Sequence, residues 1–279
     1  MYDVRRMSRS ELPLAMELAA DEGWNPGVHD AEPFHNADSD GFYVGALDGE
    51  PIATISAVAY DDAFAFVGFY IVKHEHRGHG YGMRLWQHAL SRLTTQNVGL
   101  DGVLAQQANY ERSGFKLAHR NIRYEGAVAR TSQRDPSIVD SPAVPFEQLE
   151  SYDRGHFPAL RAAFLRSWLA QSGVVSCAAV EDSSVRGYGV ARPCRRGYKV
   201  GPLFADDATS ASALLSALML RLPTGEPLYL DVPAPNTDAV DLAESLRMKP
   251  TFETVRMYTR GAPAEGLRGV YGVTSFELG

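Results

Sequence analysis

Residues 67–86 read VGFYIVKHEHRGHGYGMRLW, and this stretch decides the fold. An apolar run typical of a buried strand is followed by a loop with glycines at every second position, and then by apolar residues at helical spacing. Such a strand, loop and helix expose unpaired backbone N–H groups at the positive end of a helix dipole. Glycine lets an anion approach the main chain, and Arg77 adds a fixed positive charge. The stretch therefore predicts a pyrophosphate site.

Spacing distinguishes the phosphate loops that this stretch could form. A P-loop requires Lys and then Ser or Thr after its last glycine, whereas Met83 and Arg84 stand here. The dinucleotide fingerprint requires a glycine at position 83, although Asp101 does follow at about the expected twenty residues, so it remains a weaker competitor. The pattern that fits is Arg-x-x-Gly-x-Gly, within residues 77–82. This pattern resembles the acetyl-CoA loop of the GNAT superfamily of N-acetyltransferases.

A second motif lies downstream, where residues 110–115 read YERSGF. It resembles the Tyr-x-x-x-Gly-Phe segment of the same superfamily, in which the tyrosine hydroxyl faces the coenzyme sulfur. A strand that begins over residues 98–101 and a short helix over residues 106–114, ending on glycine, give the motif a matching context. The resemblance implies that Tyr110 protonates the departing thiolate as a general acid. The alternative is that Tyr110 is a core aromatic on a short helix.

The resemblance also implies how acetyl-CoA, the expected co-substrate, would be held. The central strand of the family splays from its neighbour and pairs with the pantetheine arm, and here that position falls at Ile71 and Val72. The Val72 N–H is the candidate oxyanion donor. The predicted coenzyme contacts are Ile71, Val72, Arg77, Gly78, His79, Gly80, Tyr81 and Gly82. No metal is expected, because the histidines of this loop lack the spacing of His-Glu-x-x-His.

The acceptor and the general base are less well defined by the sequence. Many GNAT enzymes carry a glutamate on the central strand, but residues 64–68 read FAFVG. Asp61, Asp62 and Glu22 are the possible bases. Glu22, Trp24 and Tyr60 are the candidate residues of the acceptor pocket, although either aromatic residue could simply be packing. The family resemblance implies that the acceptor is a primary amine of a small molecule or peptide.

The second part of the chain repeats the first. Val67-Gly68 and Val200-Gly201 lie 133 residues apart, and Asp48-Gly49 and Glu181-Asp182, like Ile122-Arg123 and Val255-Arg256, share that offset. Leu100-Asp101 matches Leu230-Asp231 at an offset of 130. These ordered matches predict two tandem domains. The resemblance implies that each is a GNAT-like α/β (α+β) domain, with a mixed, mostly antiparallel central sheet flanked by helices. We place the catalytic domain at residues 1–126, a linker at 127–145 and the second domain at 146–279.

The second domain lacks the motifs that carry the chemistry. Residues 77–82 fall on 210–215, which read SASALL, and Tyr110 falls on Ala243. Coenzyme chemistry is therefore assigned to the first domain, and the second is expected to be a structural partner or a recognition lid. The chain resembles a bacterial group of GNAT proteins with a degenerate second domain. The shared segments are GWNPG (23–27), LDGV (100–103), GPLFAD (201–206) and YGVTSFELG (271–279).

Composition narrows the functional classes further. The 279-residue chain is 45% hydrophobic, has two cysteines and a formal charge of −7, and contains no apolar run as long as a membrane span. Its first residues are too polar for a signal peptide. We therefore expect a cytoplasmic protein that binds neither nucleic acid nor membrane, with oligomerisation possible, and the family resemblance implies that it is an N-acetyltransferase. The alternatives are a non-catalytic acyl-CoA-binding regulator and a transferase with another donor, of which aminoacyl-tRNA is disfavoured by the acidic balance.

Overall fold

A computed structural model describes residues 1–129 and 135–279 of the chain. The strands of the first half are β1 (Tyr2–Arg6), β2 (Phe42–Leu47), β3 (Glu50–Ala59), β4 (Phe64–Val72), β5 (Asn97–Val103) and β6 (Lys116–Ala127). Its helices are α1 (Leu12–Asp21), α2 (Ala31–Ala37), α3 (Tyr81–Leu90) and α4 (Gln107–Arg112). Residues 130–134 of the predicted linker lie outside the described residues.

The second half repeats this order after a short edge strand. Its strands are β7 (Ile138–Asp140), β8 (Val175–Glu181), β9 (Ser184–Pro193), β10 (Tyr198–Ala205), β11 (Pro227–Pro233), β12 (Lys249–Tyr258) and β13 (Val270–Gly272). Its helices are α5 (Phe146–Arg154), α6 (Ala162–Leu169), α7 (Ala208–Met219) and α8 (Thr237–Ser245). No helix in the described part of the chain is long and apolar enough to cross a membrane.

The hairpin turns show how closely the halves correspond. Asp48 and Gly49 join β2 to β3 with φ angles of 51° and 87°, the left-handed conformation that a two-residue hairpin requires. The equivalent turn between β8 and β9 is formed by Asp182 and Ser183, with φ angles of 49° and 63°. The repeated turn therefore lies one residue later than the sequence offset placed it.

Residues 21–40 are rich in Gly, Pro, Asn and Asp, which predicts an irregular segment, but they contain helix α2. A seven-residue helix is too short to be stable alone, so tertiary contacts must hold it. Phe34 is fully buried, and its ring centroid lies 5.7 Å from that of Phe69 and 5.8 Å from that of Trp168 in α6. These contacts come from distant parts of the chain, which explains why local periodicity did not predict the helix.

The two halves share one sheet of thirteen strands. The order is β1-β2-β3-β4-β5-β12-β6-β11-β10-β9-β8-β7, and β13 adds to β10. Neighbouring strands are antiparallel except in the pairs β4–β5 and β10–β11, among the strands described. The last long strand of each half pairs with a strand of the other half: β12 pairs with β5, and β6 pairs with β11. This exchange was not predicted, and it makes the halves parts of one structure.

Two reciprocal ion pairs fasten the exchanged strands. The guanidinium of Arg256 in β12 binds the Asp101 carboxylate of β5 at 2.9 and 2.5 Å. In the same way Arg123 in β6 binds the carboxylate of Asp231 in β11 at 2.6 and 2.7 Å. All four side chains are at least nine-tenths buried. Asp101 and its repeat equivalent Asp231 therefore have the same structural role, each in an ion pair with an arginine of an exchanged strand.

Each half contains a point where two parallel strands separate. Strands β4 and β5 pair as far as Val67 and Leu100, and then diverge. Strands β10 and β11 diverge after the equivalent residues, but there β13 enters the gap. Its residue Gly272 pairs with Leu203, and the N–H of Val273 donates to the Asp231 carbonyl at 2.9 Å. The gap in the second half is therefore filled by the chain itself, while the gap in the first half is not.

Candidate active site

A cavity of about 410 Å³ lies in the open gap between β4 and β5. This volume is within the usual range of small-molecule sites. Its floor is formed by residues 67–72 of β4 and residues 100–103 of β5, and the start of α3 closes one side. The second half contributes Phe252, Thr254, Phe276 and Glu277 to the wall. The cavity therefore belongs to both halves, although the sequence assigned the chemistry to one.

The glycine loop presents bare main chain to this cavity. Gly78 and Gly80 have φ angles of 80° and 79°, and a Cβ built on either would meet no heavy atom within 4 Å. Gly80 caps α3, and its carbonyl accepts the Arg84 N–H at 3.2 Å. The N–H groups that precede Arg84 in the first turn have no partner within the helix. The loop is thus open on its ligand side and suits a diphosphate group.

Gly82 has a different function, which is close packing. A Cβ at this position would lie 2.8 Å from the Tyr70 hydroxyl and 3.1 Å from Cγ2 of Val72. The missing side chain therefore allows α3 to approach β4. This approach brings the positive end of the helix to the edge of the gap.

The end of β4 points a backbone donor into the gap. The N–H of Lys73 donates to the Ile52 carbonyl of β3 at 2.9 Å. Because successive N–H groups of a strand face opposite sides, the Val72 N–H faces the gap. Arg77 Nε donates to the Val72 carbonyl at 2.8 Å, and its guanidinium also binds the Glu22 carboxylate. Arg77 is thereby fixed at the rim, with Glu22 as its counter-charge.

A bulge bends β4 where the gap begins. Phe69 has a φ of 48°, and the pairing with β3 shifts register between Thr54 and Ser56. A positive φ at a bulky residue costs on the order of 1–3 kcal/mol and requires support from its surroundings. The Thr54 hydroxyl donates to the Phe69 carbonyl at 3.0 Å, and the ring of Phe69 is buried against Phe34. The bulge turns the strand away from β5.

Tyr110 in α4 is buried and forms part of the cavity wall. Its ring centroid lies 5.8 Å from that of Trp86, and a Cβ on Gly102 would lie 2.2 Å from the ring, so glycine is needed there. Burial, with a smaller effect of Tyr70, raises the pKa of Tyr110 to about 12. The phenol therefore stays protonated at neutral pH, as a proton donor must.

The structure brings most of the predicted site residues together. The cavity is lined by Glu22, Trp24, Ile71, Val72, Arg77, Gly78, Gly80, Tyr81, Gly82 and Tyr110. His79 is not in the lining; its ring stacks on Tyr81 at 5.9 Å. Tyr60 lies elsewhere too, and its hydroxyl donates to the Leu278 carbonyl at 2.8 Å. Of the possible bases, Asp61 accepts two backbone N–H groups of its own turn, and neither it nor Asp62 lines the cavity.

None of the second-half residues that line the cavity was predicted from the sequence, although a recognition lid was one expectation for that half. Glu277 is only 3% exposed, and its Oε2 has no hydrogen-bond partner among the described residues. The tail that carries it was noted for its resemblance to other proteins but was given no function. The one sequence feature that could have identified Glu277 as a site residue is its position as an acidic residue in an apolar terminal segment. Its placement beside β4 depends on contacts that span the whole chain.

Comparisons with known proteins agree with this architecture. A model of the "Acetyltransferase (GNAT) family" matches residues 3–115, and one of an "Acetyltransferase (GNAT) domain" matches residues 149–272. A holothin acyltransferase of Pseudoalteromonas sp. (strain SANK 73390) is 29% identical over 272 residues, which cover 98% of this chain and 92% of that protein.

Solved structures reproduce the fold over nearly the full length. A Pyrococcus horikoshii protein assigned to the acetyltransferases superposes with a TM-score of 0.84 at 21% identity, covering 100% of this chain and 96% of that one. A tandem GNAT protein from the clavulanic acid biosynthesis pathway gives a TM-score of 0.63 at 12% identity, covering 92% and 98%. The chain belongs to the GNAT acyltransferase superfamily, as a member with two GNAT domains in tandem.

Proposed function

We propose that this protein transfers an acetyl group from acetyl-CoA to a primary amine by direct attack, in the cavity between β4 and β5. One contrast supports the proposal most. The first half combines an open strand gap with a bare glycine loop at a helix N-terminus, and the second half has lost the loop and filled its gap with β13. Membership of an acyltransferase superfamily supports the reaction class.

The residues of the first half are suited to binding the coenzyme. The open N–H groups of residues 78–83 and the guanidinium of Arg77 would hold the diphosphate. The free edge of β4 at Ile71 and Val72 would pair with the extended pantetheine arm. The Val72 N–H would then face the thioester carbonyl, and losing one such donor typically costs a hundredfold to about a thousandfold in rate.

The transfer balances without a metal or a covalent enzyme intermediate. The nitrogen lone pair of the amine forms a bond to the acetyl carbon, and the carbon–sulfur bond breaks. The departing thiolate gains a proton, for which the protonated phenol of Tyr110 is the donor. The amine loses two protons relative to its ammonium form, one of which matches the proton gained by sulfur and the other reaches solvent.

Binding and turnover test the proposal separately. Calorimetry with acetyl-CoA, propionyl-CoA and hexanoyl-CoA measures binding and donor preference. Release of coenzyme thiol is then followed with a panel of aryl and alkyl primary amines, peptides and holothin, the compound named for the Pseudoalteromonas relative. We expect micromolar binding and turnover with at least one amine. Binding without turnover on any amine would favour a regulatory protein, and absent binding would refute the proposal.

A further inference from the structure

Glu277 of the C-terminal tail is a buried carboxylate with an unmet need for a partner. Its Oε2 has no hydrogen bond, and no Lys, Arg or His nitrogen of the described residues lies within 4 Å of its carboxylate. Burying an unpaired carboxylate costs several kcal/mol, so native structures rarely leave one without a function. Glu277 also lines the cavity between β4 and β5. A ligand in that cavity can therefore supply the missing partner.

The tail holds Glu277 in a fixed position against β4. A Cβ on Gly68 would lie 2.0 Å from the Glu277 carbonyl oxygen, so main chain packs directly on main chain at the start of the gap. The Leu278 carbonyl accepts the Tyr60 hydroxyl, and the Leu278 N–H donates to Ser275 Oγ at 3.0 Å. Both halves therefore fix the segment that carries the carboxylate.

Three buried cations, Arg123, Arg192 and Lys199, lie near Glu277 but beyond ion-pair distance of its carboxylate. Arg123 in β6 binds Asp231, and Nε of Arg192 in β9 donates to Asp30 at 2.9 Å, whereas the two terminal nitrogens of Arg192 have no partner among the described residues. Lys199 in β10 is buried, and its Nζ donates a long hydrogen bond of 3.5 Å to the Trp24 carbonyl. Burial and the neighbouring Arg123 lower the pKa of Lys199.

These cations would also act on a bound ammonium group. Nearby positive charge lowers the pKa of an ammonium group and so favours the neutral amine that must attack the thioester.

The wall beside Glu277 indicates the body of the acceptor. Phe252, Phe276 and Trp24 line the same cavity, and the rings of Phe252 and Phe276 lie 6.3 Å apart. The other carboxylates of the lining, Glu22 and Asp101, are paired with Arg77 and Arg256, so Glu277 is the one without an ion pair among the described lining residues. One such carboxylate in a cavity lined by aromatic rings suits one amine on a flat apolar body. It does not suit a polycation, which would bring further charges into an apolar site.

We propose that Glu277 binds the acceptor's amino group and accepts its proton during acetyl transfer, and that the site selects primary amines with an aromatic body. The proposal rests on the proposed function. The ammonium gives one proton to Glu277, the nitrogen bonds to the acetyl carbon, and the carbon–sulfur bond breaks. Tyr110 protonates the departing thiolate, and the second proton of the amine restores the phenol of Tyr110. Glu277 then releases its proton to solvent through the cavity mouth. The second half thereby contributes a reacting group to the site of the first.

The test compares Glu277→Gln with Glu253→Gln, a control on β12 whose side chain lies outside the cavity lining. The probes are 2-phenylethylamine and spermidine, with thiol release followed from pH 6 to 10. We expect Glu277→Gln to bind acetyl-CoA as the wild type does and to lose about a hundredfold or more in kcat/KM for 2-phenylethylamine. The loss should shrink towards pH 10, where the free amine needs no base. Spermidine should be a poor substrate of the wild type.

A second variant separates charge from position. Glu277→Asp keeps the carboxylate but shortens its reach, so a positioned base should lose rate while a purely structural charge should not. The inference is overturned if the wild type acetylates amines and Glu277→Gln matches its kcat/KM and pH profile, or if spermidine is preferred. Failure of the proposed function is a different outcome, because the wild type would then bind no acetyl-CoA or acetylate no amine.

Discussion

Individual glycines of the first half have different structural functions, even within the glycine loop. Gly78 and Gly80 adopt a positive φ and face open space, whereas Gly82 accommodates the packing of α3 on β4. Gly102 makes room for the ring of Tyr110. A substitution at each position should therefore fail in its own way, through lost ligand contact, helix displacement or a misplaced tyrosine.

Gly80→Asp should abolish coenzyme binding. The substitution places a carboxylate where the diphosphate would lie, and like charges in contact repel. Calorimetry with acetyl-CoA measures the effect. The matched control is Gly225→Asp, because Gly225 also has a positive φ and open space around it but lies outside the cavity lining. Undiminished affinity in Gly80→Asp would remove the glycine loop from the binding site.

Tyr110→Phe should lower kcat by about a hundredfold or more and leave the affinity for acetyl-CoA unchanged, because only the proton donor is lost. The control is Tyr124→Phe, a buried tyrosine outside the cavity lining. The pKa of Tyr110 is raised to about 12, so its phenol stays protonated up to about that pH. Activity should accordingly show no loss from Tyr110 between pH 7 and 10. An equal kcat in Tyr110→Phe would disprove the assigned function.

At the scale of elements, the C-terminal segment links the two strand gaps. Strand β13 fills the gap between β10 and β11, and the residues after it pass beside β4. Gly201 and Gly68 occupy equivalent positions in the repeat, and each meets carbonyl oxygens of this segment within 2.6 Å of a built Cβ. The glycine of the repeated Val-Gly pair therefore lets the C-terminal segment pack closely against the strand in both halves.

Gly68→Ala should destabilise the protein and disturb the tail. The added methyl group would overlap the Glu277 carbonyl, and overpacking of this kind costs about 1–3 kcal/mol. Urea unfolding measures the free-energy change. Gly266→Ala is the control, because nothing lies within 4 Å of its built Cβ and its φ is −70°. Equal stabilities of the two variants would show that the tail does not pack on β4 as described.

At the scale of the whole molecule, the exchanged strands should make unfolding a single transition. Removing one partner of a buried ion pair costs about 3–5 kcal/mol, so Arg123→Ala and Arg256→Ala should each destabilise both halves together. Arg166→Ala is the control, since its pair with Glu147 is exposed and contributes little. Coincident unfolding curves by circular dichroism and tryptophan fluorescence check this. Two separate transitions would contradict the shared sheet.

Acid should weaken the ion pair of Asp231 with Arg123. Burial alone would raise the pKa of Asp231, but the charge and hydrogen bonds of Arg123, together with the charges of Lys199 and Arg192, outweigh burial and lower the pKa. A lowered native pKa adds stability above the unfolded value of about 3.9, and that stability disappears as the pH falls through the native pKa.

The sequence by itself determined the local elements and the pairs of motifs. The glycine loop, the Tyr-x-x-x-Gly-Phe segment and the hairpin turn at Asp48-Gly49 each depend on residues close together in the chain. Short-range sterics and periodicity are sufficient to predict such features. The registers of Val67 with Leu100 and of Val200 with Leu230 confirm the two offsets that the repeat gave.

Only the tertiary structure decided the strand exchange, the filling of the second gap by β13 and the arrival of Glu277 in the first half's cavity. Each depends on pairing between residues far apart in sequence, such as Asp101 with Arg256 and Gly68 with Glu277. No local pattern encodes which of two equivalent strands a distant segment will join, because both offer similar backbone groups and apolar faces. The choice is made by the packing of the whole molecule, and that packing places Glu277 in the cavity that the glycine loop also lines.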